Sequence, residues 1–213
     1  MEDKKILIAV PCMDMVSARF AQSLATLKRV GKCSISFLSG SLIYDSRNKL
    51  AGLAIEMEAD YILWLDSDMV FQPNLLERML NVLEEHKEID ILTGLYFRRG
   101  GNFSPVIYSK LEADEHGLVE YVDYEGIPEG LTEVAGCGFG CVLMRTDCLL
   151  DLASIEGGGV WFTPLLGAGE DCAFCIRARK NGYKIYCDPS IHLGHMAYAP
   201  VTKDFYKAMK ESN

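Results

Sequence analysis

Short apolar runs alternate with longer amphipathic segments through residues 1–95, and this alternation restricts the fold more than any other feature. Strands are predicted at Lys5–Val10, Cys33–Ser39, Tyr61–Leu65 and Ile89–Leu95, and helices at Asp14–Arg29, Asp45–Glu58 and Pro73–His86. Strands that are joined by helices pair in parallel, and a parallel sheet needs helices on both faces. The pattern therefore predicts an α/β fold with a mostly parallel central sheet flanked by helices.

The second half of the chain departs from this alternation. We predict a hairpin or meander at Pro105–Val122, a glycine-rich strand at Val134–Arg145, helices at Thr146–Leu152 and Glu170–Asn181, and a strand at Tyr183–Cys187. The tail, Ile191–Asn213, is predicted to be loop and then helix. The loop Gly157–Gly169 is rich in glycine, so we expect it to act as a mobile lid. A length of 213 residues suits one compact domain over residues 1–213.

Charge and hydropathy exclude several classes of partner. The net charge is −9 and no run of Lys or Arg forms a basic patch, so nucleic acid is not an expected partner. No stretch approaches the roughly 20 apolar residues of a membrane span, and the N-terminus lacks the apolar region of a signal peptide. We therefore expect a cytoplasmic protein with no membrane span.

The chain has eight cysteines, which in a cytoplasmic protein are expected to be reduced. Cys172 and Cys175 form a Cys-x-x-Cys pair, whereas Cys137 and Cys141 are separated by three residues. Two Cys-x-x-Cys pairs would indicate a zinc site, but only one pair has this spacing. The pattern favours buried thiols, with zinc as the alternative.

The stretch YILWLDSDM places Asp66 and Asp68 directly after the third predicted strand. Ligands of open α/β sheets bind beyond the carboxyl ends of the strands, and extended residues two apart point the same way. Two neighbouring carboxylates repel each other unless they share a proton or bind a cation. Oxygen ligands favour a hard cation such as magnesium, manganese or calcium, so the pair predicts a metal site. The alternative is a helix cap or a solvated loop.

Four stretches in a fixed order resemble the GT-A glycosyltransferases, especially the inverting, nucleotide-sugar-dependent enzymes of family two. They are ILIAVPC, DSRNKLAGLAIEMEADYILWLDSDM, VAGCGFGCVLMR and GEDCAFCIRARKNGYKI. The resemblance implies a Rossmann-related GT-A domain with a nucleotide-binding half, residues 1–95, and an acceptor and catalytic half, residues 96–213. It also implies transfer of a sugar, with inversion, from a nucleoside diphosphate sugar to a hydroxyl acceptor.

The metal-binding residues of the family carry over by position. Asp66 and Asp68 resemble the DxD motif, which holds Mn²⁺ or Mg²⁺ on the donor diphosphate and touches the donor ribose. His195 resembles the late histidine that completes the metal shell, with His192 as the alternative. Imidazole beside two carboxylates suits manganese, whereas the other possibility is that both histidines lie in loops without a metal.

Three further residues match donor-binding positions of the family, and a glycine is a candidate donor-binding residue on physical grounds. Pro11 and Asp14 lie where the first loop meets the nucleobase, although PCMD lacks the Asn-Glu that often follows this proline in family two. Arg47 matches an arginine that contacts the nucleotide, and a guanidinium suits phosphate; the alternative is a solvated helix start. Gly138 permits close approach of the sugar or its diphosphate, or forms a bulge.

Glu170 and Asp171 match the ED motif of the family, whose aspartate is the catalytic base in inverting members. Acidic residues also stabilise a helix N-terminus, which is the structural alternative.

Two other functions of the protein remain open. LDSDMV resembles the signature of haloacid-dehalogenase-like phosphatases, although there it ends the first strand, and a non-catalytic nucleotide-sugar-binding protein would keep the same donor residues.

Overall fold

The computed structural model describes residues 3–156, 158–198, 202–203, 207 and 210. The strands are β1 (Lys5–Pro11), β2 (Lys32–Leu38), β3 (Tyr61–Leu65), β4 (Met69–Val70), β5 (Ile91–Leu95), β6 (Ile107–Ala113), β7 (Val119–Asp123), β8 (Thr132–Glu133), β9 (Gly136–Cys137), β10 (Cys141–Arg145), β11 (Ile185–His192) and β12 (Gly194–His195). The helices are α1 (Ala18–Thr26), α2 (Ile43–Glu56), α3 (Leu75–Glu85), α4 (Asp147–Glu156) and α5 (Glu170–Lys180). The strands and helices predicted for residues 1–95 are thus present, with their ends moved by a few residues.

Seven strands form the central sheet, in the order β2-β1-β3-β10-β5-β11-β8. β1 is parallel to β2 and β3, and β5 is parallel to β11. β10 lies antiparallel between β3 and β5, and β8 is antiparallel to β11. Five of the seven strands therefore run in one direction, which confirms the predicted mostly parallel α/β sheet. Strands from both halves of the chain contribute to it.

β3 shows why its sequence is apolar throughout. Successive side chains of a strand point to opposite faces, so Tyr61, Leu63 and Leu65 enter one apolar cluster and Ile62 and Trp64 enter the other. Helices α1 and α3 cover the first cluster, and α2, α4 and α5 cover the second. A strand buried on both faces needs apolar residues at every position.

Two predicted elements are shorter or more divided than expected. The first helix begins at Ala18 rather than Asp14, because the hydroxyl of Ser17 caps it by accepting a hydrogen bond from the amide of Phe20. The predicted strand Val134–Arg145 is two strands, β9 and β10, which belong to different sheets. A glycine turn divides them against the ring of Tyr96, where a Cβ on Gly140 would lie 2.8 Å from the ring carbon Cζ.

The last strand is longer than predicted and leads into a small second sheet. β11 pairs with β5 as far as Asp188, shifts its register, and pairs again at His192. β12 then pairs antiparallel with β4, so that His195 lies opposite Met69. The helix predicted for the end of the tail falls largely outside the described residues. Within the described ranges, no helix has the length and apolar character that crossing a bilayer requires.

The glycine-rich loop that was predicted to be a mobile lid is anchored over its described part, which begins at residue 158. Trp161 and Phe162 are buried in the core. The indole of Trp161 donates to the carbonyl of Leu149 at 2.8 Å, and the amide of Phe162 donates to the side chain of Asn48 at 2.9 Å. The prediction followed the glycines and overlooked that the two aromatic residues fix this segment.

Gly94 of β5 is predicted to tolerate no side chain. A Cβ there would lie 2.9 Å from the carbonyl oxygen of Ile191 and 2.6 Å from Cδ1 of Leu193. Gly94→Ala should therefore lower the free energy of unfolding by about 1–3 kcal/mol, measured by urea denaturation. Gly52→Ala on α2 is the control, because a Cβ there meets nothing within 4 Å, and it should raise stability by about 0.5–1 kcal/mol. Equal effects of the two substitutions would contradict the close packing at β5.

Candidate functional site

A cleft of about 300 Å³ opens beyond the carboxyl ends of β1 and β3, beside the start of α2. Its lining residues are Pro11, Cys12, Met13, Ser41, Ile43, Ser46, Asp66, Ser67, Asp68 and Arg99. The cleft is thus located where ligands bind in open α/β sheets. Both aspartates of the predicted metal site line it.

Asp66 and Asp68 are placed by a turn and not by the alternation of a strand. β3 ends at Leu65, and the amide of Met69 donates to the carbonyl of Asp66 at 3.1 Å, which closes the turn. The amide of Asp66 donates to the carbonyl of Gly140 at 3.0 Å, so the turn is attached to the glycine turn before β10. The side chains of Asp66 and Asp68 remain 33% and 27% exposed, and both residues line the cleft.

Arg47 lies beneath this cleft, with its side chain only 2% exposed. Its Nη2 donates to Oδ1 of Asp66 at 2.8 Å, and its Nε donates to Oε1 of Glu170 at 3.1 Å. Three aromatic rings surround the guanidinium carbon at 5.5 to 6.0 Å, those of Trp64, Phe139 and Phe162. The alternative of a solvated helix start is wrong, because this arginine is a buried counterion shared by two carboxylates.

Burial opposes the charge of Arg47, but the carboxylates of Asp66 and Glu170 outweigh this effect and raise its pKa above the ordinary value. Burial raises the pKa of Asp66, and Arg47 offsets that shift only in part. Among the described residues, Nη1 of Arg47 is buried without a hydrogen-bond partner. The predicted contact between Arg47 and the nucleotide stays a prediction, since the side chain does not line the cleft.

Glu170 and Asp171 begin α5, with Gly169 as the residue before the helix. Oδ1 of Asp171 accepts from the amide of Cys172 at 2.7 Å, while Oδ2 faces Gly138, where a Cβ would lie 3.5 Å away. Burial, followed by the negative charge of Glu170, raises the pKa of Asp171 above that of an ordinary carboxyl. A carboxylate with a raised pKa is a stronger base at neutral pH.

His195 reaches Asp68 through the pairing of β12 with β4. Its Nδ1 donates to the carbonyl of Phe97 at 2.9 Å, and its Nε2 lies 3.5 Å from Oδ2 of Asp68. The hydrogen bond with Asp68 raises the pKa of His195. Burial alone would raise the pKa of Asp68, but His195 and Arg99 together lower it. His192, the alternative metal ligand, is an exposed residue of β11 opposite Leu95.

Of the remaining residues predicted to bind the sugar donor, one lines the cleft and two do not. Pro11 ends β1 and lines the cleft, whereas Asp14 is exposed on the following loop and is not among the lining residues. Gly138 lies in the glycine turn between the phenol of Tyr96 and the carboxylate of Asp171. A side chain at position 138 would collide with Tyr96, so the glycine is needed for close packing at this point.

The sequence interpretation missed Arg99, which is in the cleft. Its Nη1 lies 2.9 Å from Oδ2 of Asp68, and its side chain is 55% exposed. The signal was available, because Arg98 and Arg99 follow the fourth predicted strand, and this strand end also reaches the carboxyl edge of the sheet.

Asp68 and His195 provide a carboxylate oxygen and an imidazole nitrogen, which are atoms that divalent cations bind. Nδ1 of His195 donates to the carbonyl of Phe97, which orients the ring so that Nε2 lies on the side of Asp68. A cation that displaces the proton on Nε2 would find this nitrogen beside the carboxylate of Asp68. Across the described part of the chain, no three His, Cys, Asp or Glu side chains converge as a complete ligand set. One or two protein ligands suffice where phosphates and waters complete the shell, as they do for Mg²⁺.

The cysteines are free thiols, and the four that were weighed as a zinc site are all buried. Sγ of Cys175 donates to the backbone carbonyl of Cys137 at 3.5 Å. Burial raises the pKa of Cys141 to about 12. The preferred interpretation of these residues as core thiols agrees with their position in the structure.

Residues 46–151 match the family model described as Glycosyl transferase family 2. The chain resembles the family 2 glycosyltransferases and has the GT-A fold. This match supports a glycosyltransferase as the class of protein and confirms the resemblance predicted from the sequence. The crystal structure of A197 from STIV is similar, with a TM-score of 0.64 over 92% of this chain and 86% of that chain. At 20% identity that similarity shows the fold alone. No curated protein matches the chain.

Arg47→Ala is predicted to destabilise the protein strongly. Removing the guanidinium leaves Asp66 and Glu170 as unpaired carboxylates around a buried void, and breaking a buried ion pair costs about 3–5 kcal/mol. Urea denaturation measures this loss directly. Arg99→Ala is the matched control, because its ion pair is exposed to solvent and should change stability by less than about 1 kcal/mol. A similar loss for both variants would contradict the distinction between the two arginines.

Proposed function

We propose that the protein is a metal-dependent glycosyltransferase that moves a sugar from a nucleoside diphosphate sugar to a hydroxyl acceptor with inversion. The observation that carries the proposal is the buried contact of Arg47 with Asp66 and Glu170. It joins the turn that carries the proposed metal-binding aspartates to the helix that carries the proposed base. The family match supports the same class of reaction.

The cleft has walls that suit a nucleoside diphosphate. Met13 and Ile43 are exposed apolar side chains at its edge, where they can cover the face of a nucleobase. Asp68 and His195 would hold Mn²⁺ or Mg²⁺, with Asp66 beside them. When bound, the ion would neutralise the charge that develops on the leaving diphosphate. Negative carboxylates without a cation would instead repel that diphosphate.

Asp171 is the proposed general base. Its carboxylate would remove the proton of the acceptor hydroxyl as the hydroxyl oxygen bonds to the anomeric carbon and the bond to the diphosphate breaks. Gly138 keeps Oδ2 of Asp171 clear of a neighbouring side chain. Arg47 has the role of positioning Glu170 at the start of α5, next to the base.

The two other functions are less well supported. A haloacid-dehalogenase-like phosphatase would use Asp66 as a nucleophile, but Oδ1 of Asp66 is paired with Arg47 and the family match is to a transferase. A non-catalytic nucleotide-sugar-binding protein would not need the raised pKa of Asp171. The free cysteines accord with the proposed cytoplasmic location.

Metal-dependent nucleotide binding is predicted to require Asp68. In isothermal titration against a panel of nucleoside diphosphates, Asp68→Asn should weaken binding in Mn²⁺ at least tenfold, since the variant loses a negative oxygen ligand. In the presence of a chelator, Asp68→Asn and the unsubstituted protein should bind the nucleoside diphosphate with equal affinity. Glu56→Gln, an exposed substitution at the end of α2, is the charge-matched control. Equal Mn²⁺-dependent affinity for Asp68→Asn and the unsubstituted protein would remove Asp68 from the site.

The pH dependence of the reaction rate is predicted to follow the protonation of Asp171. The base acts when deprotonated, so the rate of donor hydrolysis or transfer should fall as the pH falls through its raised pKa. The negative charge of Glu170 contributes to that shift, so Glu170→Gln should move the acidic limb to lower pH. Asp171→Asn should lower the rate about 10²–10⁴-fold and leave nucleotide binding intact. An acidic limb that persists at the same pH in Glu170→Gln would argue against this assignment.

A further inference from the structure

One oxygen of Asp68 has two nitrogen neighbours. Oδ2 lies 2.9 Å from Nη1 of Arg99 and 3.5 Å from Nε2 of His195. The guanidinium of Arg99 is thus a positive group in contact with an oxygen that a divalent cation would also bind. A second observation concerns the ligand, because Arg99 also lines the cleft that is proposed to hold the diphosphate.

The backbone around Arg99 is held at its base and exposed at its tip. The backbone amide of the preceding residue, Arg98, donates to the carbonyl of Ser104 at 3.0 Å. The guanidinium of Arg98 donates to Asp123 at 2.6 Å. The hydroxyl of Ser104 donates to the other oxygen of Asp123 at 3.1 Å. Gly101, two residues after Arg99, lies in the exposed tip and has a φ of +70°. Arg99 thus extends from a fixed stem, while more than half of its side chain remains in solvent.

The two arginines of the site differ in their freedom to exchange partners. Arg47 is 2% exposed and bridges two carboxylates, so releasing it would leave buried charges unpaired. The side chain of Arg99 is 55% exposed, and among the ion pairs described its partner is Asp68. Exposed ion pairs of this kind contribute little to stability. A guanidinium also binds the oxygens of a phosphate in a bidentate manner. Arg99 can therefore leave Asp68 for a diphosphate at little cost.

We propose that Arg99 is a donor-binding residue that exchanges Asp68 for the donor diphosphate. Without the donor, Arg99 neutralises Asp68; when the diphosphate enters, Arg99 contacts it and exposes Oδ2 of Asp68 to the divalent cation. The inference rests on the proposed function and deepens it. Its consequence is positive coupling between cation and diphosphate, because each ligand removes a competitor of the other.

The test measures Mn²⁺ and nucleotide binding separately, with free Mn²⁺ followed by electron paramagnetic resonance. Arg99→Gln should bind Mn²⁺ alone at least threefold more tightly than the unsubstituted protein, because the competing guanidinium is gone. The same variant should bind the best nucleoside diphosphate of the panel, in saturating Mn²⁺, at least tenfold more weakly. Arg29→Gln, an exposed change on the loop before β2, should alter neither value.

The outcomes separate this inference from the proposed function. Unchanged Mn²⁺ affinity in Arg99→Gln would overturn the exchange, whereas Mn²⁺-dependent nucleotide binding by the unsubstituted protein would still uphold the metal-dependent function. Absence of Mn²⁺ binding in both proteins, with nucleotide present, would overturn both. Arg99→Lys keeps the charge without the bidentate geometry, so it should retain the weak Mn²⁺ affinity and lose part of the nucleotide affinity. Tight Mn²⁺ binding by the lysine variant would contradict the proposed competition.

Discussion

The buried charge of Arg47 is the constraint on which the rest of the site depends. A guanidinium that is shielded from water is stable only when carboxylates pair with it, and here they come from the turn after β3 and from the first residue of α5. The aromatic rings of Trp64, Phe139 and Phe162 fill the remaining space around it. Three elements that are distant in sequence are thereby fixed relative to one another at the carboxyl edge of the sheet.

This arrangement divides the site into a rigid part and an adjustable part. Arg47, Asp66 and Glu170 form the rigid part, since each is held by partners within the protein. Asp68 lies at the solvent side, where its neighbours come from the end of β5 and from β12. A catalytic site needs both properties, because charges must be pre-positioned for the reaction and yet allow ligands to enter and leave.

The sequence predicted what local patterns determine. The apolar run of β3 and the spacing of the helices gave the α/β class, and the position of Asp66 and Asp68 after β3 located the cleft. Placement of His195 beside Asp68 depends on a two-residue strand pair and a register shift in β11, which no periodicity reveals. The burial of Arg47 was equally hidden, because a charged residue near the start of a helix is usually solvated.

The predictions for the glycine-rich loop Gly157–Gly169 and for the single strand Val134–Arg145 have a related weakness. Glycine content reports the backbone freedom of a segment but not the contacts that remove this freedom. Trp161 and Phe162 are core residues, so the loop around them is fixed by side chains that the composition of the segment obscured. Packing of the glycine turn against Tyr96 likewise needs the tertiary structure, since the two are far apart in sequence.

The central position of β10 has a consequence for folding on the ribosome. β3 and β5 flank β10 and do not pair with each other, so the first 95 residues alone leave a gap one strand wide in the sheet. β3 pairs with β1 on its other side, whereas both neighbours of β5, β10 and β11, come after residue 95. One edge of β3 and both edges of β5 therefore have no hydrogen-bond partner among the first 95 residues. Completion of the central sheet thus depends on pairings between residues far apart in the sequence, and such pairings form slowly and leave strand edges open to aggregation until they form.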